Sequence, residues 1–155
     1  MKVLLVTGAS KGIGRATAIL GARAGYRVCV NYNSSKEAAI NAVDQIRAEG
    51  GDAISIKADV STEAGVKILF EKIDQQFGRL DGLFNNAGVI LQTERVENIT
   101  AKQLEYLWRV NVTSQFLCAR EAIKRMSTKN GGYGGSIVNM SSVHSRIGAP
   151  GEFVS

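Results

Sequence analysis

Thr7-Gly8-Ala9-Ser10-Lys11-Gly12-Ile13-Gly14 follows an apolar run, Val3–Val6, and opens an amphipathic stretch over residues 13–24. The apolar run reads as a buried strand and the stretch behind it as a helix, with Gly25 as its stop. Glycines between a strand and a helix let the backbone pass close to a bulky anion. The first turn of the helix then offers N–H groups that have no partner inside the helix. The spacing is Gly-x-x-x-Gly-x-Gly, not the commoner Gly-x-Gly-x-x-Gly. Set between strand and helix, it points to a pyrophosphate; the alternative is a glycine-rich turn that binds nothing.

The same alternation continues along the chain. Further strand candidates are residues 27–30, Ala53–Lys57, residues 82–84 and Ser136–Asn139. A second helix begins at the capping-box pattern Ser34-x-x-Glu37, places Ala39, Ala42, Val43 and Ile46 at helical spacing, and ends at Gly50-Gly51. A third follows Ser61, aligns Val66, Leu69, Phe70, Ile73 and Phe77, and stops at Gly78. A fourth opens on Thr100-x-x-Gln103 and runs to about Ser127. Strand and helix in alternation predict an α/β domain with a parallel, doubly wound sheet and right-handed crossovers. With no repeat, linker or low-complexity segment, residues 1–155 form a single domain, and residues 130–135 are its loosest loop.

Hydrophobic residues make up 45% of the chain and charged residues 21%, the balance of a globular protein. No apolar run approaches membrane-spanning length. Met1 to Val6 is too short for a leader and reads as a strand, so a cytoplasmic location is expected. Cys29 and Cys118 lack metal-ligand or redox spacing and read as buried, reduced thiols. The net charge of +5 permits an anionic partner, but the basic residues are scattered without interleaved aromatics. That pattern argues against a nucleic-acid partner and suits a phosphate-bearing cofactor.

In open α/β sheets, ligands bind outside the carboxyl ends of the strands. The residues after each apolar run are polar: Thr7, Gly8 and Ser10; Asn31, Tyr32 and Asn33; Asp59; Asn85 and Asn86; Ser141 and Ser142. Loops are polar in general, but the concentration of amides and hydroxyls here suits a ligand site. On the fourth helix Leu104, Leu107, Trp108 and Asn111 follow helical spacing, so an amide sits on the apolar stripe. Asn111 is either a satisfied core asparagine or a functional amide.

These motifs together resemble the short-chain dehydrogenase/reductase family. The turn from Thr7 to Gly14 is similar to the family's cofactor loop, and Asn85-Asn86-Ala87-Gly88 to its Asn-Asn-Ala-Gly element. Asp59-Val60 resembles its adenine-contacting pair, Asn111 its helix asparagine, and Ile137-Val138-Asn139-Met140-Ser141-Ser142 the strand bearing its catalytic serine. The motifs occur in family order over the whole chain. The resemblance implies a Rossmann-like nicotinamide-dinucleotide-binding domain and hydride transfer with a small-molecule carbonyl or alcohol. It implies that Gly8, Ser10, Gly12, Ile13 and Gly14 wrap the pyrophosphate, that Asp59 and Val60 flank the adenine, and that Asn86, Ala87 and Gly88 line the middle of the cofactor. Ser142 would hydrogen-bond the substrate oxygen, and Asn111 would support a proton relay through water. For Asp59 the plain alternative is a solvated residue near a helix cap. A homo-dimer or homo-tetramer, paired through the fourth helix and the one after it, is implied in the same way.

Cofactor choice follows from an absence. NAD binders usually carry an acid about twenty residues past the glycine turn. Here that region is Asn31-Tyr32-Asn33-Ser34-Ser35-Lys36, with no acid before Glu37, while Lys11 and Arg15 offer cations. NADP(H) is therefore expected in preference to NAD(H). The family also needs a Tyr-x-x-x-Lys element shortly after the serine, at or just past Ser155. Tyr32 to Lys36 has that spacing but follows strand two, at the adenosine end, and Tyr133 has no lysine four residues on. The expectation is that residues 1–155 are an incomplete reductase domain that stops just before its catalytic tyrosine; the alternative is a catalytically inactive nucleotide-binding fragment. A sheet ending at strand five leaves an open edge, which disfavours the alternative. His144, the sole histidine, and residues 145–154 read as a substrate loop.

Overall fold

The computed structural model describes residues 1–91, 95–143 and 146. His144 and most of the expected substrate loop lie outside the described residues. Among the described residues five strands form one parallel sheet: β1 (Val3–Val6), β2 (Arg27–Tyr32), β3 (Ala53–Lys57), β4 (Gly82–Asn85) and β5 (Ser136–Asn139), in the order β3-β2-β1-β4-β5. Helices α1 (Gly12–Arg23), α2 (Lys36–Ala48) and α3 (Glu63–Phe77) connect the first four strands. Between β4 and β5 run α4 (Ala101–Trp108), a π-helical segment (Arg109–Thr113) and α5 (Ser114–Met126). The chain leaves β1 toward β2 and later crosses back to place β4 on the other side of β1. That reversal opens a crevice at the carboxyl ends of β1 and β4.

Alternation along the central strands divides the core in two. Val3 and Leu5 of β1 face Val66, Leu69, Phe70 and Ile73 of α3 and Cys118, Ala122 and Met126 of α5. Val6 faces the other way, toward Ala18 of α1 and Ala39, Ala42, Val43 and Ile46 of α2. The helical spacings read from the sequence are thus the buried faces. β5 is different: Val138 is 56% exposed, and the strand is an edge among the described residues.

Several local expectations are corrected. β2 continues through Tyr32, pairing with Lys57, two residues past the sequence-based end. This extra length delays the second helix, whose cap is Ser35 without a side-chain cap bond, so the Ser34–Glu37 capping box does not form. At the third helix the cap is Thr62, whose Oγ1 accepts from the Gly65 N–H at 3.0 Å. Ser61 is unsuited to that role because its hydroxyl donates to the Asp59 carboxylate at 2.7 Å. The Thr100–Gln103 capping box forms as expected, but the fourth helix is interrupted by the π segment. Trp108 is 54% exposed and does not belong to the buried stripe, whereas Leu107 does.

The start of the sheet is tied by a carboxylate. Asp81, just before β4, accepts the Val3 N–H at 2.8 Å and pairs with Arg79. Burial alone would push the Asp81 carboxyl up; the Arg79 guanidinium, the Val3 N–H and Lys2 outweigh it and hold the group below its ordinary value. A depressed carboxyl adds stability above its unfolded range and loses it as pH falls through the lower folded value. Asp81→Ala should therefore cost about 1–3 kcal/mol at pH 7, with a buried N–H left unpaired. The gap from the parent should close below about pH 4, a comparison that urea melts at two pH values make directly. A gap that widens in acid would contradict the assignment.

Both cysteines are free and buried. Burial pushes the Cys118 thiol up to about 12, with Glu121 adding to the shift, and burial raises Cys29 further. No described helix is long and apolar enough to cross a membrane.

Candidate functional site

A cleft of about 1090 Å³ lies along the carboxyl edge of the sheet. Residues 10–13 follow β1, 32–35 end β2, 58–61 follow β3, 86–90 follow β4 and 139–142 end β5, and all of them line it. Tyr106, residues 110–112, Gln115 and Phe116 close one side from the helical arm. Among the described residues no group of three or more His, Cys, Asp or Glu side chains could hold a metal ion.

The glycine turn is shaped for close approach. Gly8 and Gly12 have φ of 60° and 58°, a region that costs side-chain-bearing residues energy. A Cβ on Gly12 would meet nothing within 4 Å, so the space above the turn is open. The opposite holds for Gly14, which lies beneath the turn and does not line the cleft. A Cβ there would collide with Asn86 Nδ2 and lie 2.9 Å from the Gly8 carbonyl oxygen. Helix α1 begins at Gly12, capped by Lys11 without a side-chain bond. Its first N–H groups, at residues 12–14, thus have no partner within the helix and sit at the end of the cleft. Ser10, Lys11 and Ile13 all line the cleft, and the Lys11 side chain is exposed. An anion of pyrophosphate size fits this combination of open space, free N–H groups and a cation.

The neighbouring residues hold the turn. Thr7 Oγ1 accepts the N–H groups of Asn86 and Ala87 at 2.9 and 3.0 Å, which fastens β1 to the loop after β4. Asn86 Nδ2 donates to the carbonyls of Thr7 and Gly8 at 2.9 and 3.2 Å. Asn31 is 1% exposed; its Oδ1 accepts the Gly8 N–H, and its Nδ2 donates to the Ile56 and Ala58 carbonyls. Asn31 therefore shapes the turn from below. Tyr32 is buried beside it, while Asn33 and Ser34 stand exposed on the cleft wall. Asp59 Oδ1 accepts the Ser61 N–H at 2.9 Å and the Ser61 hydroxyl, so this carboxylate is fixed next to Val60. Arg15 departs from expectation: it donates to Gln45 of α2 at 3.0 Å and does not line the cleft.

Asn111 sits in the π segment and is satisfied by one backbone residue. Its Oδ1 accepts the Val89 N–H at 2.8 Å and its Nδ2 donates to the Val89 carbonyl at 2.9 Å. This clamp places the 86–90 loop, with Ala87 and Gly88, against the helical arm. Ser141 and Ser142 line the cleft just past β5, and Ser142 is half-buried. Of the residues singled out for the cofactor and the reaction, Gly14 and Arg15 stay outside the cleft and the others reach it; Thr7 and Asn85 sit behind its wall, and His144 lies outside the described residues.

A family model described as short chain dehydrogenase matches residues 2–154. The chain belongs to the short-chain dehydrogenase family. It is 51% identical to an uncharacterized oxidoreductase, YgfF, of Escherichia coli (strain K12), over 99% of this chain and 62% of that protein. It is 39% identical to the 3-oxoacyl-[acyl-carrier-protein] reductase FabG of Staphylococcus aureus (strain Mu50), over 97% of this chain and 60% of that protein. It is also 39% identical to a probable tetrahydroxynaphthalene reductase of Zymoseptoria tritici, over 92% of this chain and 51% of that protein. The chain therefore spans about half to three-fifths of the length of these short-chain dehydrogenase relatives.

Some site residues carried no sequence signal. Gln115 and Phe116 line the cleft but belong to no motif. Gly65 is required because a Cβ there would collide with the Asp59 carbonyl, a contact between segments that spacing alone does not reveal.

Proposed function

We propose that the full-length protein is an NADP(H)-dependent oxidoreductase acting on a small carbonyl or alcohol substrate. The observation that carries this reading is the single cleft that joins the glycine turn to Asn111 and Ser142. The nicotinamide cofactor, when bound, supplies or accepts the hydride. Gly8, Gly12 and the first N–H groups of α1 bind its pyrophosphate, and Asp59 and Val60 flank its adenine. Asn86, Ala87 and Gly88 line its middle. The Ser142 hydroxyl donates to the substrate oxygen and stabilises the charge that develops there. Asn111 supports the proton relay and, through Val89, holds the loop beside the nicotinamide end. The names of the staphylococcal and fungal relatives are those of reductases, which favours a carbonyl compound as substrate.

NADP(H) is preferred over NAD(H) because the wall after β2 presents Asn33, Ser34 and Ser35 without an acid, in the same cleft as the exposed Lys11. An amide N–H and hydroxyls donate to a 2′-phosphate that a carboxylate would repel, and Lys11 adds a charge-assisted bond. Lys11→Ala in the full-length protein should raise the Kd for NADPH about tenfold, the lower end for a charged hydrogen bond at an exposed site. The Kd for NADH should barely move. Fluorescence titration with both nucleotides reads the ratio, and an unchanged ratio would overturn this cofactor preference.

Pairing through the helical arm belongs to the same proposal. Trp108 and Ile123 are each 54% exposed on it, apolar residues suited to a second copy. The buried thiols suit a cytoplasmic protein.

A further inference from the structure

We propose that Gln115 is a positioning residue of this reaction, whose carboxamide sets the serine segment after β5 relative to Asn111. The proposal rests on the function proposed above. Gln115 Nε2 donates to the Asn111 carbonyl at 3.0 Å and to the Met140 carbonyl at 3.3 Å. Both partners are acceptors only, so the NH2 group and not Oε1 must face them. The Gln115 main chain joins the same tie: its carbonyl accepts from Asn85 Nδ2 at 3.2 Å, which also donates to Asn139 Oδ1 at 2.9 Å. The ends of β4 and β5, the π segment and the first turn of α5 are thereby fastened at one point.

The location gives the tie its consequence. Pairing of β4 with β5 ends at Asn85 and Asn139. Met140 is held on both sides, its N–H by the Asn85 carbonyl at 2.8 Å and its carbonyl by Gln115. Ser142 lies two residues beyond. Any good helix former would satisfy α5 at this surface-lining position. A glutamine adds two N–H donors at the length that reaches both carbonyls. The carboxamide therefore fixes the spacing between the two residues proposed to act on the substrate oxygen and the proton path.

Gln115→Met keeps the side-chain length and removes both donors. Gln115→Glu turns a carboxylate toward two carbonyl oxygens; once protonated, it regains one donor. In the full-length protein with 9,10-phenanthrenequinone as the probe carbonyl, both variants should lose about tenfold in kcat at neutral pH, with the KM for NADPH within about twofold. The Glu variant alone should recover relative to the parent as pH falls and its carboxyl protonates. Hydrogen exchange at residues 141–143, measured without substrate, should quicken in the Met variant. Unchanged kcat in both variants, equal losses in kcat and NADPH binding without acid recovery, or unchanged exchange would each overturn the proposal. A parent protein that binds NADPH but reduces no probe would count against the proposed function; the exchange result still decides the tie.

Discussion

Ser142→Ala in the full-length protein is expected to lower kcat by about 10²–10³ and to leave the Kd for NADPH within about twofold. The size is that of removing one hydrogen-bond donor from a developing negative charge, the role proposed for this hydroxyl. The separation of the two effects follows from the fold. Ser142 stands past the end of β5, whereas the turn proposed to hold pyrophosphate follows β1, two strands away across β4. Steady-state kinetics with a titration of the same sample measures both. Parallel losses in kcat and nucleotide affinity would show that Ser142 supports the cleft as a whole, and the hydroxyl would lose its assigned role.

Gly14→Ala produces the second large effect, by a different route. The added methyl would displace Asn86 Nδ2, which donates to the carbonyls of Thr7 and Gly8, and crowd Ala9 Cα at 3.1 Å. Overpacking costs about 1–3 kcal/mol, and two bonds to buried carbonyls are lost or bent with it. Stability should fall by roughly 2–4 kcal/mol, and NADPH affinity should fall with it because the turn itself is displaced. Urea denaturation and nucleotide titration check the two parts. A variant with parental stability and affinity would show that the packing of Gly14 on Asn86 is not required.

The fold was legible because its signals are periodic and local. Val66, Leu69, Phe70 and Ile73 recur at helical spacing and all enter the core, and the apolar runs Val3–Val6, 28–30 and 83–84 mark the central strands. The glycine turn, the Asn-Asn-Ala-Gly segment and the serine pair were visible because each sits where a strand ends. The features that escaped depend on contacts between segments. Ser34 and Ser61 both look like caps, yet the extension of β2 through Tyr32 moved one helix start and the bond from Ser61 to Asp59 moved the other. Arg15 carries the charge that suits a phosphate, but Gln45 on the next helix takes it. The π segment adds a residue to one turn without any glycine or proline to announce it. Asn111 therefore meets Val89, and Gln115 meets Met140, through a register that regular helical spacing does not give.

Hydride transfer is the step that defines the proposed activity, and deuterium tracing tests it most directly. The full-length protein would be incubated with NADPH dideuterated at C4 of the nicotinamide and with a β-keto ester and an α-diketone in turn. Nucleotide binding would be confirmed by titration of the same preparation. Deuterium is expected on the carbinol carbon of at least one product, with its rate of incorporation lowered by about 10²–10³ on Ser142→Ala. NADPH bound with no deuterium in any product would contradict it and leave the cleft as a nucleotide site without chemistry.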